Sequence, residues 1–345
     1  MNPVHEGRRA LGSLSSDTKP IDGREAALPS MASLIRCGPD AISGSSLRVT
    51  PATSEPISDR IPRGLAFALG AFTVFSCADA TVKWLSATHS IFQIIFMSTL
   101  FAFVPVAGLV MREGGINALR PRHPWLVALR ALLLAIDMVF VFYAFSRLPL
   151  ADAYTMLFTA PMLVTALSVP LLGERVGWRR WSAVAVGFGG VLIVLRPGFA
   201  ELNLGHIAAL ASSSFFALSL IVARRIGNSE TGSTLLVSMM VALLVVSGPV
   251  LPTVYVASDP SDLAMLAGLG LLMGLGHLGL IQALRLAPSA AVAPFHYSQI
   301  VWAVIFGLLL FGDRPTVWVI TGSTIIIASG LYILWRETVR RRQTA

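Results

Sequence analysis

A chain of 345 residues that is 55% apolar and only 13% charged, with a formal net charge of +8, lies far outside the range of an ordinary soluble domain. That composition excludes a water-soluble enzyme or binding module, and a basic surplus in so apolar a chain reads as an orientation signal rather than a nucleic-acid patch. The two cysteines, Cys37 and Cys77, build no disulfide framework, the six histidines follow no metal-ligand spacing, and no HExxH, nucleophile elbow or phosphate-binding glycine loop is present, so neither cofactor nor metal is expected.

Residues 1–60 are Ser-, Pro- and Gly-rich, with seven basic and seven acidic residues that cancel. Such a segment buries too little apolar surface to offset chain entropy and is expected to be a disordered tail. It lacks the apolar core of a secretory signal, and its acids speak against a transit peptide. A true start at Met31 or later is the alternative reading. From about position 64 onward, apolar runs of roughly 20 residues follow one another, each long enough at about 1.5 Å per residue to cross a hydrocarbon core of about 30 Å. Ten transmembrane helices are expected, near 65–85, 91–111, 125–146, 150–172, 178–195, 205–223, 234–256, 263–284, 290–311 and 316–335. Connections mostly under ten residues make neighbours antiparallel and leave no room for a domain outside the membrane. Residues 337–345 remain as a basic tail.

Polar groups within these spans are the candidates for function, because an ionisable side chain near the bilayer centre costs about 2.5–3.5 kcal/mol on insertion scales and needs a cavity or a partner. In the first span Asp79 and Lys83 are four residues apart, share a face and can pair, while Lys83 near the outer end can also snorkel. Asp137 sits at the midpoint of the third span in "LLLAIDMVFVF" with no opposite charge within a turn; the bland alternative is a protonated acid bonded to a neighbouring helix. Near the outer end of the fourth span Tyr154 and Asp152 could line an entrance, with helix capping the simpler role for Asp152. Pro161 at the centre of that span and Pro294 in the ninth each remove a backbone donor and are expected to bend their helices. Gly187, Gly189 and Gly190 in the fifth span and Gly268, Gly270, Gly274, Gly276 and Gly279 in the eighth permit close helix packing. His277 lies mid-span in "GLGHLGL", its alternative being a packing histidine. In "FHYSQIVW" of the ninth span, His296 and Gln299 lie on adjoining faces near mid-depth, with Phe295, Tyr297 and Trp302 as flat surfaces. Amide, imidazole and rings together suit a neutral or aromatic metabolite.

The stretch "LLGERVGWRR" at 171–180 returns 139 residues later as "LFGDRPTVWV" at 310–319. Both follow the last apolar turn of a span, yet five spans separate them, so they face opposite sides of the membrane. With a cytoplasmic N-terminus the inner segments hold fifteen arginines, among them Arg60, Arg112, Arg179, Arg180, Arg224, Arg285 and Arg336, against Arg147, Arg196 and Arg314 outside. That asymmetry places both termini in the cytoplasm and explains why the second junction lacks the following arginine pair. At the same offset Ala144, Pro149, Ala151, Gly173, Arg175 and Leu195 meet Ala283, Pro288, Ala290, Gly312, Arg314 and Leu334. The fold expected is therefore all-α, two inverted five-helix repeats over 61–198 and 199–336, a plan used by carriers that rock one half against the other around a central site. His277 falls within one position of Asp137's counterpart, so the two are expected to look into one cavity from opposing halves.

The run "CADATVKWLS" and the stretch from "YAFSRLPLADA" to "GERVGWRRWSAVAVGFGGVLIVLRPG" resemble the EamA branch of the drug/metabolite transporter superfamily, over about 64–336. The resemblance implies a ten-helix, inverted-repeat carrier of the bacterial cytoplasmic membrane for a small organic metabolite. Members are known for amino acids, sugars, S-adenosylmethionine-like compounds and riboflavin, so amino-acid-like, nucleoside-like and vitamin substrates all stay open. Relatives with the first-helix pattern often carry an Arg where this chain has Met97. The expected function is secondary active transport by alternating access, with the lipid bilayer and a small metabolite as partners, room for a homodimer, and no nucleic acid. A membrane-embedded enzyme or a scaffold acting through the N-terminal tail is the alternative; deleting residues 1–60 would spare a carrier and disable such a scaffold.

Overall fold

The computed structural model describes residues 57–344, with 175, 197–201 and 228 outside that set, as are the side chains of 57–59, 118 and 337–344. The expected tail over residues 1–56, Arg175 of the first junction and the side chains of the basic C-terminal tail thus lie outside the described residues. Among those described, the regular structure is helical throughout. The first half of the chain supplies α1 (Ile57–Leu85), α2 (Ile91–Arg112), a 3-10 turn at Gly115–Leu119, α3 (Pro124–Arg147), α4 (Leu150–Leu157), α5 (Ala160–Leu172) and α6 (Trp178–Leu195). The second half supplies α7 (Leu204–Ile226), α8 (Gly232–Ser247), the short turn α9 (Leu251–Val254), α10 (Pro260–Leu286), the short turn α11 (Ser289–Val292) leading into a 3-10 turn at Ala293–Tyr297, α12 (Ser298–Phe311) and α13 (Val317–Thr344).

Among the described residues, nine helical segments are long and apolar enough to span a membrane, counting α4 with α5 and α11 with α12 as one each. The tenth expected span, 234–256, is shorter: α8 stops at Ser247. Gly248 and Pro249 follow at once, and Pro249 has no N–H to continue the helix and a ring that would strike the carbonyl four residues back. α1 begins at Ile57, inside the expected tail.

Successive spans run up and down, so α1 ends at one face of the bundle, near Lys83, and α7 ends at the opposite face, near Arg224. The most extensive packing is between halves: α3 lies on α7, α1 and α2 on α10, and α6 on α13. Under the 139-residue offset the α3–α7 pair becomes α10–α1, so one packing solution is used twice.

Glycines make these contacts close. A Cβ added at Gly274 of α10 would sit 2.3 Å from Pro105 Cγ of α2, one at Gly270 2.2 Å from the Ser98 carbonyl oxygen, and one at Gly276 2.7 Å from the Phe75 ring of α1. Gly187 and Gly190 of α6 likewise face Met162 and α13. Between apolar helices in lipid, such approach is a main source of attraction. Gly268 and Gly189 meet nothing within 4 Å, so they contribute no such contact.

The repeated junction has one backbone form. Gly173 after α5 and Gly312 after α12 are both left-handed, with φ of 68° and 69°, a conformation glycine adopts without strain. In each copy the N–H of the following acid reaches back six residues, from Glu174 to the Ser168 carbonyl at 3.3 Å and from Asp313 to the Gly307 carbonyl at 2.9 Å. This closure satisfies carbonyls at the helix end and fixes where the acid leaves the backbone.

Candidate functional site

Two equivalent spans are broken at equivalent depth. The fourth span separates into α4 and α5 at Phe158 and Thr159, and the ninth passes through the 3-10 turn Ala293–Tyr297 before α12 begins. Each break adjoins a proline: Pro161 cannot donate to the Leu157 carbonyl, nor Pro294 to that of Ala290. Pro161 lines the interior space described below, whereas Pro294 is exposed. Irregular backbone at membrane depth is tolerated where it borders a cavity, and here one lies beside both breaks.

That cavity, of about 220 Å³, is lined from both halves by Asp79, Asp137, Tyr154, His277, His296 and Gln299, with Ser212, Phe75 and Phe158 among its walls. Six of the eight polar residues singled out in the sequence thus meet in one space. Asp152 lies outside it, within electrostatic reach of Lys83 and Asp313, and Lys83 is the other exception. Its expected pairing with Asp79, four residues away, is replaced by a long-range one: Lys83 Nζ lies 2.9 Å from Asp313 Oδ2 and donates to the Leu148 carbonyl at 2.8 Å. Asp79 turns instead to Tyr154, whose hydroxyl donates to its Oδ2.

Tyr154 has a second partner, since Gln299 Nε2 of α12 donates to the same hydroxyl at 3.1 Å. The relay Gln299–Tyr154–Asp79 thereby ties the second half to α4 and α1, with all three side chains buried. Across the cavity, Ser212 of α7 donates to Asp137 Oδ1 of α3 at 2.6 Å. Thr159, at the break of the fourth span, donates to Ser213 of α7 at 2.9 Å. Asp137 and His277 share the cavity without bonding each other. The His277 Nδ1 lies 2.8 Å from the Met273 carbonyl; a carbonyl only accepts, so Nδ1 carries the proton and Nε2 of the neutral ring is left as an acceptor. The His277 ring meets Phe75 edge-on at 5.0 Å. His296 stacks on Phe72 at 5.1 Å and meets Phe158 edge-on at 5.3 Å.

The chemistry of this lining is one-sided. Two carboxylates, the His277 Nε2 and the Gln299 amide oxygen accept hydrogen bonds, the Tyr154 and Ser212 hydroxyl protons are spent on the carboxylates, and neither lysine nor arginine lines the cavity. The cation nearest in kind is Arg130, two turns from Asp137 on the same face of α3 and within electrostatic reach of His277. Sequence reading passed over Arg130, although the spacing of seven from Asp137 is a helical signal for a shared face.

A wider space of about 470 Å³ continues from this cavity, sharing Phe75, Phe158, His277, His296 and Gln299 with it and reaching Leu284 of α10 and Arg224 of α7 in their last turns. The site therefore communicates with the Arg224 face of the bundle.

Comparison with known proteins agrees with this architecture. A model of the EamA-like transporter family matches the chain twice, over residues 62–196 and 203–335. The S-adenosylmethionine uptake transporter of Rickettsia prowazekii is 26% identical over 274 residues, 79% of this chain and 93% of that protein. The riboflavin transporter of Rhizobium johnstonii is 26% identical over 274 residues, 79% of this chain and 90% of that protein. Among solved structures, one crystal structure superposes with a TM-score of 0.56 at 16% identity, covering 82% of this chain and 98% of that one, which is a likeness of fold.

Proposed function

This chain belongs to the EamA-like transporter family, and we propose that its central cavity carries a small metabolite that combines a positive charge with a flat ring. The chain is a membrane transporter of small metabolites, not an enzyme. The observation that carries the substrate class is the acceptor-rich lining: Asp79 and Asp137 border one cavity of about 220 Å³ that neither lysine nor arginine lines. An anion would meet two carboxylates and neither lysine nor arginine. A cation finds opposite charge and the faces of Phe75 and Phe158, which attract it further in a desolvated site. The names of the relatives accord with this class in one case: S-adenosylmethionine carries a sulfonium and a purine. Riboflavin, with rings and no fixed charge, is the second reading, favoured by the imidazole of His296 and the amide of Gln299.

The reading extends to mechanism. Residues 61–198 and 199–336 form the two halves that rock about the cavity, and Asp137 holds either a proton or the cationic substrate as they do so. The residues that line the cavity come from both halves of the chain. The arginine surplus at the Arg224 face supports its assignment to the cytoplasm, with both termini there and the protein in the bacterial cytoplasmic membrane.

The experiment is counterflow in proteoliposomes with S-adenosylmethionine and riboflavin as probes. Counterflow of S-adenosylmethionine that is lost in Asp137→Asn supports the cationic class. Counterflow of riboflavin alone overturns it, and entry of neither probe removes both substrate readings.

A further inference from the structure

Both copies of the Gly–acid–Arg junction place their acid on a cation from the other half of the chain. After α12, Asp313 meets Lys83, at the end of α1, at 2.9 Å. After α5, Glu174 meets Arg224, at the end of α7, at 3.4 Å. The 139-residue offset carries Glu174 onto Asp313 and α1 onto α7, with Arg224 two positions beyond the counterpart of Lys83, so equivalent elements make like contacts at opposite faces of the bundle. In each, the acid is held by the left-handed glycine and the six-residue closure behind it, and the cation sits in the last turn of a helix, where the backbone carbonyls favour positive charge.

The two contacts differ in their surroundings. Lys83 and Asp313 are 16% and 27% exposed, whereas Arg224 and Glu174 are 34% and 37% exposed. Lys83 also holds the Leu148 carbonyl, lies 5.0 Å over the Phe311 ring, and has Asp152 of α4 within electrostatic reach. Two separate stretches of chain, 148–152 and 311–313, thus converge on one ammonium group. Arg224, by contrast, borders the wide space of about 470 Å³ that leads to the cavity. A partly desolvated pair is far stronger than one open to water and salt.

We propose that Lys83–Asp313 and Arg224–Glu174 are the two locks of the transport cycle, each closing one face of the cavity when the other opens. In this structure the Lys83 pair is short and shielded, while the Arg224 pair is in contact but longer, more exposed and beside the wide space that leads to the cavity. Closing the Arg224 side draws α5 against α7, shortens and shields Glu174–Arg224, and parts Lys83 from Asp313. Writing the junction twice then has a use: an inverted repeat converts one lock into two, on opposite faces.

The locks rest on the transporter reading but on no particular substrate, and their test needs none. In a chain carrying Cys37→Ser and Cys77→Ser, the pairs Lys83→Cys/Asp313→Cys and Glu174→Cys/Arg224→Cys are treated with a short reducible bifunctional thiol reagent. Each pair is expected to cross-link by itself, while a variant with all four cysteines yields molecules bridged at one end or the other and almost none bridged at both. Double bridging in most molecules would mean two static staples and overturn the proposal, even with transport intact. Where a substrate is in hand, either bridge should lower its transport at least about tenfold, with recovery on reduction; transport unchanged by complete bridging also overturns it. The exchanged pair Lys83→Asp/Asp313→Lys, which keeps both charges, should regain function that Asp313→Asn loses; equal loss in both sinks the ionic lock.

Discussion

Ser212 donates its hydroxyl hydrogen to Asp137 across 2.6 Å, and the bond joins α7 of one half to α3 of the other. A carboxylate at membrane depth is costly without such help, yet one hydroxyl satisfies only part of its capacity to accept. The remainder faces the cavity, where a proton or a cationic group can meet it. Asp137→Asn is therefore expected to abolish gradient-driven accumulation while expression and insertion stay intact. Ser212→Ala removes one hydrogen bond to a charged group, about 1.5–3 kcal/mol, and should weaken transport by about ten- to a hundredfold without abolishing it. Accumulation in proteoliposomes decides both, and wild-type accumulation by Asp137→Asn would reduce the residue to a packed structural acid.

Tyr154 stands between Asp79 and Gln299 as both donor and acceptor. Tyr154→Phe keeps the ring contacts with Phe145 and Phe158 at 5.5 and 5.8 Å and removes only the hydroxyl. Asp79 and Gln299 are then buried without their shared partner, at about 1–3 kcal/mol. The expected result is a loss of transport rate of about tenfold or more, larger than that of Phe145→Leu, with full membrane insertion. Transport equal to that of the wild type would show that the relay is dispensable.

Much of this arrangement was legible in the sequence, and the failures have physical causes. Span lengths follow from bilayer thickness, so the limits 150–172 and 178–195 return in the structure. Asp137 and His277 could be brought to one cavity because an inverted repeat gives equivalent helices equivalent surroundings. Lys83 could not be placed in this way. Its partner lies 230 residues away in the chain, and helix spacing offers only Asp79, which prefers a tyrosine hydroxyl supplied by another helix. The early end of α8 was readable from Gly248-Pro249 and was overridden by the apolar residues beyond it. Arg130 was overlooked because its half-buried setting depends on α3 packing against the other half.

Gly274 and Gly268 make a controlled comparison on one helix. A methyl at Gly274 meets the rigid Pro105 ring at 2.3 Å and the Ala102 carbonyl at 3.1 Å, so α2 and α10 must separate, whereas one at Gly268 meets nothing within 4 Å. Gly274→Ala is expected to destabilise by about 1–3 kcal/mol, the usual cost of overpacking. Gly268→Ala should be neutral or slightly stabilising, since alanine is the better helix former by about 1 kcal/mol. Thermal unfolding in detergent separates the two, and equal midpoints would mean that the α2–α10 contact is looser than its geometry.

Orientation supplies the last test, and it rests on charge rather than on family. The junction after α5 is followed by Arg179 and Arg180, while the equivalent positions after α12 are Trp318 and Val319. Arginine is held on the cytoplasmic side, so reporter fusions after Arg180 are expected to report cytoplasm and fusions after Arg314 the exterior. Exchanging the pairs, Arg179→Trp/Arg180→Val with Trp318→Arg/Val319→Arg, moves two positive charges from one face to the other. If charge sets the topology, that variant should insert in mixed orientation, visible as signal from both reporters at one fusion site. A single unaltered orientation would mean that the remaining thirteen inner arginines, among them Arg112, Arg120, Arg122, Arg224 and Arg225, suffice and that the stripped second junction serves its ion pair alone.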